Sequence, residues 1–142
     1  MTTFVTHSAA ETSALGRSFA ASLRPGDIVA LFGNLGSGKT AFVAGVCEGL
    51  GARGRVSSPT FTLINEYAAP FGLVAHIDLY RIRSRADLAE LGMEEYFGPG
   101  CIALIEWAEE AMDLLPRGHQ VVSIRYGEGE TDREISIGKA GE

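Results

Sequence analysis

One eight-residue stretch constrains this 142-residue chain more than any other: Gly33-Asn34-Leu35-Gly36-Ser37-Gly38-Lys39-Thr40. It meets the pattern G-x-x-x-x-G-K-[ST] at every fixed position. The pattern has a mechanism only when a strand precedes it and a helix follows. Both are legible. Asp27 to Phe32 is an apolar run suited to a buried strand, and Thr40 to Leu50 reads as a helix. A loop so placed aims backbone N–H groups and the positive end of a helix dipole at a phosphate. Lys39 would reach the β- and γ-phosphates, and the Thr40 hydroxyl would hold Mg²⁺. The expectation is a nucleoside triphosphate site. Asn34, Leu35, Gly36, Ser37, Gly38, Lys39, Thr40 and Ala41 form its phosphate side.

Such a site needs a carboxylate at the end of a neighbouring hydrophobic strand. Two segments supply one. Leu73 to Ile77 leads to Asp78, and Cys101 to Ile105 leads to Glu106. Both strands are expected beside the P-loop strand, at the sheet edge where α/β proteins bind ligands. Glu106 would ligate Mg²⁺ or orient the attacking water. Asp78 would accept from metal-bound water or from Thr40. Either acid alone would also serve as a loop cap or as a partner of Arg81 or Arg83, and the residues by themselves do not separate these roles. Trp107 reads as a packing residue near the sheet edge, or as a wall of the nucleotide pocket or a partner contact. His76 reads as a core or supporting histidine, since no second histidine has metal-ligand spacing. The loop Ser57-Ser58-Pro59-Thr60-Phe61-Thr62 is either a hydroxyl-rich turn or a switch whose Ser58, Thr60 and Thr62 sense the γ-phosphate.

The rest of the chain frames this site. Ser8 with Glu11 forms a capping box opening a helix to about Leu23, with Leu15, Phe19 and Leu23 as its apolar stripe. Phe4 to Thr6, Phe61 to Tyr67 and Leu73 to Asp78 read as strands. Ser84 caps a short helix. Gln120 to Tyr126 and Arg133 to Ile137 read as a terminal hairpin. Strands joined by helices in places and by hairpins in others imply a three-layer α/β, P-loop NTPase-like fold with a mixed parallel and antiparallel sheet. The length suits one domain, residues 1–142.

The net charge of −6 argues against strong direct binding of nucleic acid. Cys47 and Cys101, the two cysteines, have no C-x-x-C spacing and read as core residues of a reducing compartment. No signal peptide or membrane span is read from the sequence, so the expected location is the cytoplasm.

Several strings in fixed order resemble the bacterial TsaE (YjeE-type) family: the P-loop itself, Ser58-Pro59-Thr60-Phe61-Thr62-Leu63, His76-Ile77-Asp78-Leu79-Tyr80-Arg81, Leu91-Gly92-Met93-Glu94-Glu95-Tyr96, Ile105-Glu106-Trp107 and Leu114-Leu115-Pro116. The resemblance spans about residues 8 to 137. It implies a small ATPase binding ATP and Mg²⁺, with the metal at Thr40 and Glu106 and with Asp78 as supporting acid. Lys39, Asp78 and Glu106 would be its catalytic residues. It implies a switch role for Thr60 or Thr62, and a nucleotide pocket completed by Ala9 to Thr12 and by Arg133. It also implies partners, TsaD and TsaB, which form threonylcarbamoyladenosine on tRNA and which the ATPase would activate or reset. Where the family often carries Pro after Glu-Trp, this chain has Ala108.

Two other function classes fit the P-loop. A small-molecule kinase would need a lid, for which Arg81-Ile82-Arg83-Ser84-Arg85 is the candidate. A nucleotide-gated binding module would need no productive hydrolysis. A GTPase fits least, because no Asn-Lys-x-Asp string occurs.

Overall fold

The computed structural model describes residues 1–34, 36–55 and 63–141. In chain order the strands and α-helices are β1 Thr2–Thr6, α1 Ala9–Ala20, β2 Ile28–Phe32, α2 Lys39–Gly49, β3 Arg53–Arg55, β4 Ile64–Ala69, β5 Gly72–Asp78, α3 Arg85–Leu91, β6 Cys101–Glu106, β7 Gln120–Tyr126 and β8 Arg133–Lys139. Short 3₁₀ segments cover Met93–Tyr96 and Ala108–Leu114. The strands form one sheet in the order β1-β8-β7-β2-β6-β5-β4-β3. The four central strands are parallel, while the flanking pairs β1–β8, β8–β7, β5–β4 and β4–β3 are antiparallel. The mixed sheet expected from the connections is therefore present.

Strand alternation sorts the core into two faces. On one, Val29, Leu31, Ile102, Leu104, Val74, Val122 and Ile124 meet Phe19, Phe42, Val43 and Val46 of α1 and α2. On the other, Ile28, Ala30, Ala75, Ile77, Ala103 and Ile105 meet Leu88, Met93, Ala108 and Ala111. That makes three layers. α1 and α2 approach each other through glycine. A Cβ on Gly45 would stand 1.9 Å from the Ser13 carbonyl oxygen, and one on Gly16 would stand 2.3 Å from that of Phe42.

Two expectations need correction. The strand ending in Asp78 does not lie beside the P-loop strand: β6 separates β5 from β2. The reason is burial. Every residue of β6 is buried, whereas β5 is partly exposed, and the strand that is apolar on both faces takes the inner position. The first helix ends at Ala20, three residues before Leu23, although Leu23 is still buried. The edge strand β3 had no signal in its sequence Arg-Gly-Arg.

Cys101 is buried and Cys47 half-buried, and neither is in a disulfide. Burial pushes the Cys47 thiol up to about 11, which suits an inert core residue. Among the described residues no helix is long and apolar enough to cross a membrane.

Candidate nucleotide site

The P-loop leaves the C-terminal end of β2 and turns into α2. Gly38, the N-cap, has left-handed backbone (φ 109°), and no side chain caps the helix. The other two α-helices differ. Ser8 accepts from the Glu11 N–H at 3.1 Å, and Ser84 accepts from the Asp87 N–H at 3.1 Å. An uncapped helix N-terminus keeps its first N–H groups available to an anion. Gly33 is required sterically, since a Cβ there would stand 2.6 Å from Ser37 Oγ and 2.8 Å from the Ile124 carbonyl oxygen.

Two buried polar atoms of this loop, Ser37 Oγ and Lys39 Nζ, have no hydrogen-bond partner among the described residues. Lys39 is 5% exposed. Burial lowers its pKa, and the nearby charges of Glu106, Glu109 and Asp78 partly oppose that shift. A buried ammonium without an acceptor is costly. Phosphate oxygens would supply the acceptors that the described residues do not.

The sheet register delivers the acids. Glu106 pairs with Leu31 on one side and with Asp78 on the other, so both carboxylates lie at the level where the P-loop begins. His76, Asp78 and Glu106 share the sheet face that packs on α2, by alternation with Val74 and Leu104. Glu106 is buried, and its Oε2 is hydrogen-bonded to His76 Nε2. Asp78 Oδ1 accepts the Tyr80 N–H at 3.0 Å, which fixes the turn after β5. Hard oxygen donors from Thr40 and Glu106, beside phosphate oxygens, are the sparse set that Mg²⁺ takes. The donor chemistry therefore fits that ion.

Beside the loop is a cleft of about 130 Å³ lined by Ser8, Ala9, Thr12, Gly38, Ala41, Thr131 and Arg133. It unites the α1 residues, the start of α2 and the C-terminal arginine that sequence alone left far apart. Small side chains at Ala9, Gly38 and Ala41 keep it open. Arg133 donates from Nε to the Ser37 carbonyl at 2.9 Å and from Nη2 to that of Gly36 at 3.3 Å. Its Nη1 bonds the carbonyls of Glu130 and Asp132 at 3.1 and 2.8 Å. The guanidinium thus braces the P-loop against the β7–β8 turn. Two larger clefts, of about 360 and 430 Å³, lie toward the opposite ends of the parallel strands, away from the P-loop.

Asn34 and Thr40 are exposed at the loop, and Thr12 is buried behind it. Leu35 and the switch residues Ser58, Thr60 and Thr62 lie outside the described residues. Trp107 does more than pack at the sheet edge. Lys39 Nζ lies 3.7 Å from its ring centroid, and the Tyr80 ring lies 4.9 Å away on the other contact. Sequence reasoning missed Tyr80 and Thr131. Tyr80 had one available signal, its place two residues after an acid at a strand end. Thr131 had none, because its role depends on the turn meeting α1.

A family model described as threonylcarbamoyl adenosine biosynthesis protein TsaE matches residues 6–135. The TsaE protein of Bacillus subtilis is 39% identical over 131 residues, covering 92% of this chain and 81% of that protein. That of Treponema pallidum is 37% identical over 134 residues, covering 94% and 97%. Each is named a tRNA threonylcarbamoyladenosine biosynthesis protein. The crystal structure of YdiB from Bacillus subtilis superposes with a TM-score of 0.79 at 35% identity, covering 99% of this chain and 86% of that one.

Proposed function

This chain belongs to the TsaE family, and on that premise we propose that it is an ATPase serving formation of threonylcarbamoyladenosine in tRNA. It binds ATP with Mg²⁺ and hydrolyses it slowly, to activate or reset a complex of TsaD and TsaB. The observation that carries the ATPase reading is the buried Lys39 ammonium, which has no acceptor among the described residues, facing the carboxylate of Glu106 at the end of the adjacent parallel strand.

Each residue then has a task. The N–H groups opening α2, with Ser37 Oγ and Lys39 Nζ, bind the phosphates. Lys39 stabilises charge that grows on the β- and γ-phosphate oxygens. His76 holds one oxygen of Glu106 and so orients its carboxylate. The cleft between Ala9, Thr12, Ala41 and Arg133 takes the base and sugar. Thr40 and Glu106, supported by Asp78, would hold Mg²⁺, which when bound neutralises phosphate charge. Thr60 or Thr62 reports the γ-phosphate. The net charge of −6 leaves contact with RNA to the partners.

Steady-state hydrolysis tests this, with the protein alone and with TsaD and TsaB. The expected result is a slow basal rate that rises with the pair. Lys39→Ala and Glu106→Gln should each lower turnover about a hundredfold while the thermal melt stays cooperative. Undiminished hydrolysis in the Lys39 variant would overturn the catalytic reading. A rate indifferent to the pair would overturn the partner assignment.

A further inference from the structure

The contact between Lys39 and Trp107 is something a P-loop does not require. A P-loop lysine needs only to reach phosphate. Here its ammonium is buried, has no hydrogen-bond acceptor among the described residues, and sits 3.7 Å from the centre of an indole ring. The ring is delivered there on purpose. Trp107 has left-handed backbone (φ 57°, ψ 44°) and is the one non-glycine residue with positive φ among the described residues. A bulky side chain persists in that region only where its surroundings over-determine it. Those surroundings are visible. Glu106 before it is locked in the buried strand β6, and the ring of Tyr80 packs on the indole at 4.9 Å. Tyr80 is itself fixed through its N–H on Asp78. The turn after β5 and the turn after β6 therefore cooperate to put one aromatic face over one ammonium.

We propose that Trp107 is the resting-state holder of Lys39: its indole face keeps the ammonium in place over the loop until phosphate oxygens draw it away. This rests on the nucleotide-binding reading above. A ring face attracts a cation through its quadrupole but offers no lone pair to the three N–H groups. The hold is therefore real but incomplete, and phosphate, which offers both charge and acceptors, wins the exchange. Trp107 acts through Lys39 and is a positioning residue. Removing the ring deletes a contact that the free protein gives up on binding, so affinity for nucleotide rises.

Trp107 is the single tryptophan of the chain, so its emission reports the contact without interference. The test uses the full chain and ADP with Mg²⁺ as the probe, with binding measured independently by calorimetry. Free wild type and free Lys39→Met should differ in emission, and ADP should move wild-type emission toward that of free Lys39→Met. Trp107→Leu should bind ADP about fivefold more tightly, with Trp107→Phe between the two. Identical emission in free wild type and free Lys39→Met overturns the proposal. So does ADP binding that leaves emission unchanged, or weaker binding by Trp107→Phe, which would make the ring part of the bound pocket. Absence of any binding heat overturns the nucleotide reading and this inference with it.

Discussion

At the scale of single residues, Arg133 separates two ideas of what a pocket arginine does. The family resemblance suggested contact with nucleotide, but among the described residues its four hydrogen bonds go to backbone carbonyls, two of them in the P-loop. It also lies 5.0 Å from the Tyr126 ring centroid. On the proposed reading, it would act on nucleotide largely through the shape of the loop. Arg133→Ala should weaken ATP binding about tenfold and lower stability by about 1–2 kcal/mol, read by calorimetry and urea melts. Arg133→Lys should recover little of either, because one ammonium cannot span carbonyls that a planar fork spans. The sequence marked this residue only by analogy. Its bonds to Gly36 and Ser37 join positions about a hundred apart in the chain, and no local pattern encodes them.

At the scale of elements, the P-loop helix is positioned by how closely α1 can approach it. Gly16 and Gly45 remove the side chains that would hold the helices apart. Gly45→Ala would drive a methyl into the Ser13 carbonyl, and the helices must separate to admit it. The expected cost is about 3 kcal/mol, measured by urea denaturation. The alanine's better helix propensity recovers less than about 1 kcal/mol of that. The sequence located both helices, running the first three residues too long, yet it did not reveal this seam, since a glycine inside a helix looks like a weakness until its neighbour is known. The same limit explains the misplaced strand. Apolar runs identified β5 and β6, but the order of strands depends on which run must be buried on both faces.

At the scale of the whole molecule, the two ends of the chain close on each other beside the site. β1 pairs with β8, and just beyond that pairing His7 Nδ1 meets Asp132 Oδ1 at 2.9 Å. Thr131 adds a bond from its hydroxyl to the His7 carbonyl at 2.8 Å. The pair raises the pKa of His7 and lowers that of Asp132, in each case mainly through their hydrogen bond. The contribution of His7 is complete below its ordinary value of 6.5 and is lost as pH rises through its raised pKa. That of Asp132 is complete above 3.8 and is lost as pH falls through its lowered pKa. Thermal melts of wild type and His7→Ala should therefore differ most between these limits and converge outside them. His7 is exposed and Asp132 only half-buried, so the difference should also shrink at high salt.

By itself the sequence determined that a loop of P-loop pattern joins a strand to a helix, that Asp78 and Glu106 terminate apolar strands, and that the sheet is mixed. These are local facts, written in the spacing of glycine, lysine and apolar residues within a few turns of chain. Only the tertiary structure decided that β6, not β5, flanks the loop strand. Only it brought Arg133 to the P-loop carbonyls and set Lys39 against Trp107. Those relations arise from which faces must be buried together, and burial is a property of the assembled layers rather than of any stretch of residues.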